Sequence, residues 1–237
     1  MNSSAILFIF LTVALLSESL PTNNLQLIGK CTTQELFSMN QKMQRCYMHD
    51  GSPTNFQIQL MSNVTNRDYA SLCKFLEEAT QCSVSVYETF DCLTEDIKNF
   101  QRVGYRATKA SLSFMCGNNQ ANIAKFIEGG GIDCIGKISA TEDSSCFVEI
   151  ASLVKEQGVQ KIFKSWDFTC GLMEKAVGCL SSMLSSCTQD VSDMFNGVVL
   201  SYLKETPCSS TDNSLQYFKY QHEDGTELGQ FDFVGLN

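Results

Sequence analysis

Proline is scarce in this chain, and its three copies stand at Pro21, Pro53 and Pro207. Residues 54–206 therefore lack the strongest helix breaker, and long helices are permitted there. Histidine is scarcer still, with only His49 and His222. Two histidines and no CxxC pair give no zinc pattern, so no metal and no other cofactor is expected. Cations are also few: 17 Lys and Arg face 26 Asp and Glu, a formal charge of −9. That balance removes the counterion-release contribution on which non-specific nucleic-acid binding depends, and it disfavours anionic membrane surfaces.

Long apolar runs are absent after the first 20 residues. Ala5 to Leu16 is an unbroken stretch of Ala, Ile, Leu, Phe, Thr and Val, the length of a signal-peptide h-region and too short to span a bilayer. Residues 1–19 thus read as a secretory signal peptide. Ser17 and Ser19 supply small residues at −3 and −1 for cleavage after Ser19, although no Lys or Arg precedes the run. With no later transmembrane stretch and no hydrophobic tail of the kind a GPI anchor replaces, a secreted, soluble extracellular protein is expected.

What the chain has in quantity is cysteine. Cys31, Cys46, Cys73, Cys82, Cys92, Cys116, Cys134, Cys146, Cys170, Cys179, Cys187 and Cys208 all follow the cleavage site. An even number in an oxidising compartment implies up to six disulfides. The steps from Cys31 to Cys116 are 15, 27, 9, 10 and 24 residues, and those from Cys134 to Cys208 are 12, 24, 9, 8 and 21. The text agrees as well, with LCKFLEEATQC (Leu72 to Cys82) set against TCGLMEKAVGC (Thr169 to Cys179). The parallel predicts a duplication, with a first six-cysteine unit at 31–116, a connecting segment at 117–133 and a second unit at 134–208.

The fold class expected is all-α, a disulfide-rich helical bundle built from these two tandem units. Thr32 and Glu35 form a capping-box pattern opening a helix to about Cys46, with Leu36, Met39, Met43 and Tyr47 at helical spacing, and the turn-rich His49 to Pro53 stops it. Asp68 opens a second helix with Leu72, Phe75, Leu76 and Ala79 on one face. Cys73 and Cys82, nine residues apart on it, point to opposite sides, so that helix can be stapled to two neighbours. Further helices are expected at about 84–99, 104–115, 119–127, 145–157, 168–186 and 189–205. Asn119 can cap the helix that ends at Glu128, where Gly129-Gly130-Gly131 supplies positive φ. The glycine triplet is not a phosphate loop, because no strand precedes it and no Lys-Ser/Thr follows. Residues 209–237, with Tyr217, Phe218, Tyr220, Phe231 and Phe233 among polar and acidic positions, keep no helical or strand period and read as a mobile tail.

Catalytic constellations are missing. Neither histidine accompanies a nucleophile motif such as G-x-S-x-G, and Asp50 and Ser52 read as turn formers. Adjacent carboxylates such as Glu77-Glu78 and Glu142-Asp143 splay on a helix rather than converge. A non-enzyme is expected. Asn63-Val64-Thr65 is an N-glycosylation acceptor on an expected loop, which makes Asn63 the candidate glycan site. Phe75, Leu76, Phe114, Phe126, Phe163, Met183 and Phe195 either fill cores or line a pocket for a small apolar ligand.

The cysteine series resembles that of the insect 27-kDa haemolymph glycoprotein family. The likeness is closest at Phe114-Met115-Cys116 with Asn122 to Gly130 and Cys134, at the Cys170, Cys179, Cys187 spacing, and at Leu203 to Cys208. A nematode-type twelve-cysteine secreted domain is the second resemblance. The first implies an abundant, glycosylated, helical protein of body fluid or venom, with no catalytic residues to carry over. The tail after Cys208 departs from that pattern.

The function expected is a secreted glycoprotein acting as a binding or carrier protein for a small apolar ligand. The alternatives are an interaction factor, such as an immune or venom component that meets an extracellular protein, and a hydrolase with an unrecognised site. Alkylation of the non-reduced protein is expected to add no mass. Proteolytic mapping is expected to find the same connectivity in both six-cysteine sets, with no bond between Cys73 and Cys82 or between Cys170 and Cys179.

Overall fold

The computed structural model describes residues 30–47, 62–140, 145–158 and 160–210. The signal segment, His49, the Asp50 and Ser52 turn, the two carboxylates Glu142 and Asp143, and the tail with His222 lie outside the described residues. The protein is mostly helical, with no strand among the described residues. In order, the helices are α1 (Thr33–Tyr47), α2 (Tyr69–Glu88), α3 (Glu95–Glu128), α4 (Gly131–Ala140), α5 (Ser145–Gln157), α6 (Gln160–Lys164), α7 (Trp166–Leu184) and α8 (Gln189–Lys204), with a final 3-10 turn at Pro207–Ser210.

Local chemistry explains most of the ends. Glu35 N donates to Thr32 Oγ1 at 3.2 Å while Thr32 N donates to Glu35 Oε2 at 2.7 Å, the reciprocal capping box. Asp68 caps α2 by accepting from Ser71 N at 3.0 Å, which holds its carboxyl below the usual value. Ahead of it, residues 62–65 are helical and close in a Schellman turn. There Asp68 N donates to Asn63 O and Arg67 N to Val64 O, with Arg67 itself at φ 56. Gly130, at φ 82, supplies the positive φ expected of the triplet, and Gly131 is needed because a Cβ there would fall inside the Phe126 ring.

Two sequence readings require correction. The helix expected at 84–99 is the end of α2 and the start of α3, separated by Thr89–Thr94. The break lets Phe90 and Leu93 turn into a small core with Met43, Val86 and Ile97. The helices expected at 104–115 and 119–127 are found as the two arms of α3, divided by non-helical Gly117–Gln120, where Asn118, Asn119 and Gln120 lie in the left-handed region at φ 50, 54 and 61. Asn119 is therefore part of the kink, and the bridge across it comes from Asn122, whose Nδ2 donates to Phe114 O at 2.7 Å. The short α4 and α6 carry too little periodicity to be read from sequence.

Five disulfides are described: Cys31–Cys92, Cys46–Cys82, Cys73–Cys116, Cys134–Cys187 and Cys170–Cys208. Cys179 is disulfide-bonded too, while the side chain of Cys146 lies outside the described residues. Cys73 ties α2 to the kink of α3, and Cys82, on the opposite face of α2, ties it to the end of α1. A loop of 43 residues, as for Cys73–Cys116, constrains the unfolded chain by about 4 kcal/mol on the loop-entropy estimate.

The main core draws on both halves of the sequence. Leu72, Phe75, Leu76, Leu112, Met115, Ile123 and Phe126 pack with Leu184, Val191, Met194, Phe195 and Val198. α3 and α8 approach closely because small residues face each other. Ala107 is fully buried, Ser111 Oγ donates to Val198 O at 2.9 Å, and the Phe114 ring lies directly on the backbone of Gly197. A Cβ at Gly197 would penetrate that ring. Gly197→Ala is accordingly expected to cost about 2 kcal/mol by overpacking. Gly104→Ala, in open space on α3, is expected to gain about 0.5–1 kcal/mol. Chemical denaturation of the two variants measures both.

Candidate functional site

Among the described residues no group of three His, Cys, Asp or Glu is placed to hold a metal ion. The strongest charged cluster is structural. Arg102 on α3 donates from Nε and Nη2 to both oxygens of Glu88, at 2.7 and 3.0 Å, and from Nη1 to Glu95 and Asn99 at 2.6 and 2.8 Å. These bonds hold the Glu88 carboxyl below its ordinary range and raise the guanidinium. The fork ties the C-terminus of α2 to the N-terminus of α3 across the Thr89–Thr94 break, where bidentate geometry favours arginine over lysine.

The pocket residues proposed from sequence separate in the structure. Phe75, Leu76, Phe126 and Phe195 are buried in the main core, with Phe114 packed against it, whereas Phe163 lies elsewhere. Phe163 belongs to an aromatic junction that the sequence reading otherwise missed. Phe100 of α3 stacks on Trp166 with ring centroids 5.2 Å apart, and it meets Phe163 edge-on, also at 5.2 Å. Such geometries suit the quadrupoles of the rings. All three rings are only partly buried.

Each ring leans on a different small core. Phe100 packs on Ile150, Ile162 and Leu172, Phe163 on the group around Met43 and Phe90, and Trp166 on Met173, Leu203 and Cys208. The first of these cores is thinly covered. Its three buried residues are flanked by five partly buried ones, among them Leu153, Val154 and Phe168, and Val148 nearby on α5 is 58 % exposed. Trp166 owes its place to Ser165, which caps α7 by accepting from Phe168 N at 3.3 Å. Close by, burial pushes the Tyr202 hydroxyl up to about 12, so it stays protonated at physiological pH. A local signal for the site did exist: Phe163, Trp166 and Phe168 fall within six residues and include the only tryptophan of the chain.

Asn63 lies not on an open loop, as expected, but in the helical turn 62–65. Its Nδ2, the atom that carries a glycan, is buried and has no hydrogen-bond partner.

The profile of a family described as a protein of unknown function, DUF1397, matches residues 22–208. The chain belongs to that family. The matched span of DUF1397 runs from before Cys31 to Cys208 and so takes in every cysteine of the protein. Neither a curated protein nor a solved structure matches the chain.

The Arg102 fork makes a prediction about pH. Because the Glu88 carboxyl has a folded-state value below its unfolded one, its contribution is full above the ordinary carboxylate range and is lost as pH falls through the lowered value. The thermal midpoint is expected to drop on acidification from about pH 7 to about pH 3. Arg102→Met is expected to lower the midpoint at neutral pH and to flatten that acid dependence.

Proposed function

We propose that this DUF1397 protein is a secreted, non-catalytic binding or carrier protein for a small apolar ligand, taken up at the aromatic junction of Phe100, Phe163 and Trp166. The observation that carries the reading is that stack: Phe100 packed against both Phe163 and Trp166, all three rings staying partly exposed on a scaffold whose elements are clamped by disulfides. Apolar ligand sites combine such aromatic walls with a pre-formed frame. Export is supported by the density of disulfides and by the Ala5 to Leu16 run, and no described helix is long and apolar enough to cross a membrane.

The resemblance to the insect 27-kDa haemolymph glycoproteins supports the same reading, a stable protein of an extracellular fluid. So does an origin of the 31–116 and 134–208 segments in one duplicated unit. Thr94 and Thr188, the residues ahead of α3 and α8, have nearly the same backbone geometry, at φ −69, ψ 156 and φ −68, ψ 158. By cysteine order, Cys31–Cys92 corresponds to Cys134–Cys187 and Cys73–Cys116 to Cys170–Cys208. A glycan at Asn63 requires the carboxamide to turn outward. No hydrogen bond on Nδ2 resists that rotation, and it removes a buried unpaired donor, which costs about 1–3 kcal/mol.

Trp166 is the only tryptophan, so its fluorescence reports on this site alone. Titrating the disulfide-intact protein with a long-chain alcohol or fatty acid is expected to shift or quench that emission, and native mass spectrometry of protein from its own source is expected to show a retained lipid. An emission unchanged by every apolar probe, with no retained lipid, would remove the carrier reading. A co-purifying protein in its place would favour the interaction factor.

A further inference from the structure

The aromatic junction borders a short basic stretch of this acidic protein. Residues 155–164 carry Lys155, Lys161 and Lys164 against a single acid, Glu156, in a chain whose formal charge is −9. These lysines occupy the last turns of α5 and α6, and their side chains are exposed. Lys161 reaches the apolar site itself. Its Nζ lies 5.0 Å from the centroid of the Phe168 ring, which packs with Phe100, Leu153 and Val154 over Ile150, Ile162 and Leu172. The hydrogen bond described for Lys161 goes to the neutral Gln157 carboxamide, at 2.7 Å. Lys175, by contrast, is bound to the Glu149 carboxylate at 2.7 Å across α5 and α7. The ammonium of Lys161 thus lies at the rim of an apolar surface, and among the described residues no carboxylate is bonded to it.

We infer that the ligand of this site is an anionic amphiphile of the long-chain carboxylate class, its chain lying on the Phe100 and Trp166 rings and its headgroup meeting Lys161. The inference rests on the carrier reading and specifies its ligand. The contact with the Phe168 ring holds the exposed ammonium at the edge of the apolar surface, where the carboxylate of an amphiphile lying on the rings meets it. A neutral amphiphile of the same chain length gains the apolar contacts alone.

The test uses the disulfide-intact protein, a fatty acid and the alcohol of equal chain length, with Trp166 emission as the readout. The acid is expected to bind about tenfold tighter than the alcohol, the size of one charge-assisted hydrogen bond. Lys161→Met keeps an apolar stem over Phe168 and removes only the charge. It is expected to abolish most of the preference by weakening the acid, with the alcohol unchanged, while Lys161→Arg retains it. An unchanged far-ultraviolet circular dichroism spectrum and denaturation midpoint establish that the variants are folded. Equal binding of acid and alcohol, or a preference that survives Lys161→Met, overturns the anionic-headgroup inference and leaves an apolar carrier standing. Failure of both ligands to bind overturns the carrier reading as well.

Discussion

Every described disulfide closes within residues 31–116 or within residues 134–208, so among the described residues the packing that joins these segments is noncovalent. Its centre is the contact of α3 with α8. Gly197 gives up a side chain so that Phe114 can lie on the α8 backbone, and Ser111 binds the Val198 carbonyl. Around that point Leu112 and Met115 meet Val191, Met194 and Phe195. The disulfides make each segment stiff; the small residues of this interface let two stiff segments share one core. Interiors packed to crystal-like density tolerate little displacement, so the kink of α3 and the placement of α8 are fixed together.

Much of this was legible from residue pattern because the signals were local. The Thr32 and Glu35 pair, Asp68 ahead of α2, the face formed by Leu72, Phe75, Leu76 and Ala79, and Gly130 in the glycine triplet each act within a turn or two of the chain. The half-turn offset of Cys73 and Cys82 is of the same kind, since it follows from nine residues of helix. What escaped depends on distant partners. Phe90 and Leu93 leave the helix at Thr89–Thr94 because Met43 and Val86 offer them burial, and nothing near them in sequence announces it. Three consecutive residues at positive φ in Asn118 to Gln120 run against the preference of L-residues, and they are retained by Met115 and Ile123 buried on either side. The aromatic junction was hidden for the same reason. Phe100 stands more than sixty positions from Phe163 and Trp166, and only the fold stacks them.

The junction proposed as the ligand site is shared between the two segments. Phe100 comes from the first six-cysteine segment, Phe163 and Trp166 from the second, and each ring rests on a different small core. Any shift of one segment against the other moves the walls of the site, so the α3 and α8 interface is a determinant of its shape. A ligand held between rings on both segments would stabilise their union in turn, by the ordinary linkage between binding and folding.

Segment-wise closure of the disulfides also sets an order of events during synthesis. The bonds Cys31–Cys92, Cys46–Cys82 and Cys73–Cys116 need no residue beyond 116, whereas the cover for Leu112 and Met115 arrives only with Val191, Met194 and Phe195. The emerging chain can therefore be fully oxidised in its first segment while that segment still shows a bare apolar face. Until α8 is made, a sealed but sticky half-molecule must be kept from its neighbours, and chaperone attention belongs to that interval rather than to the formation of the disulfides.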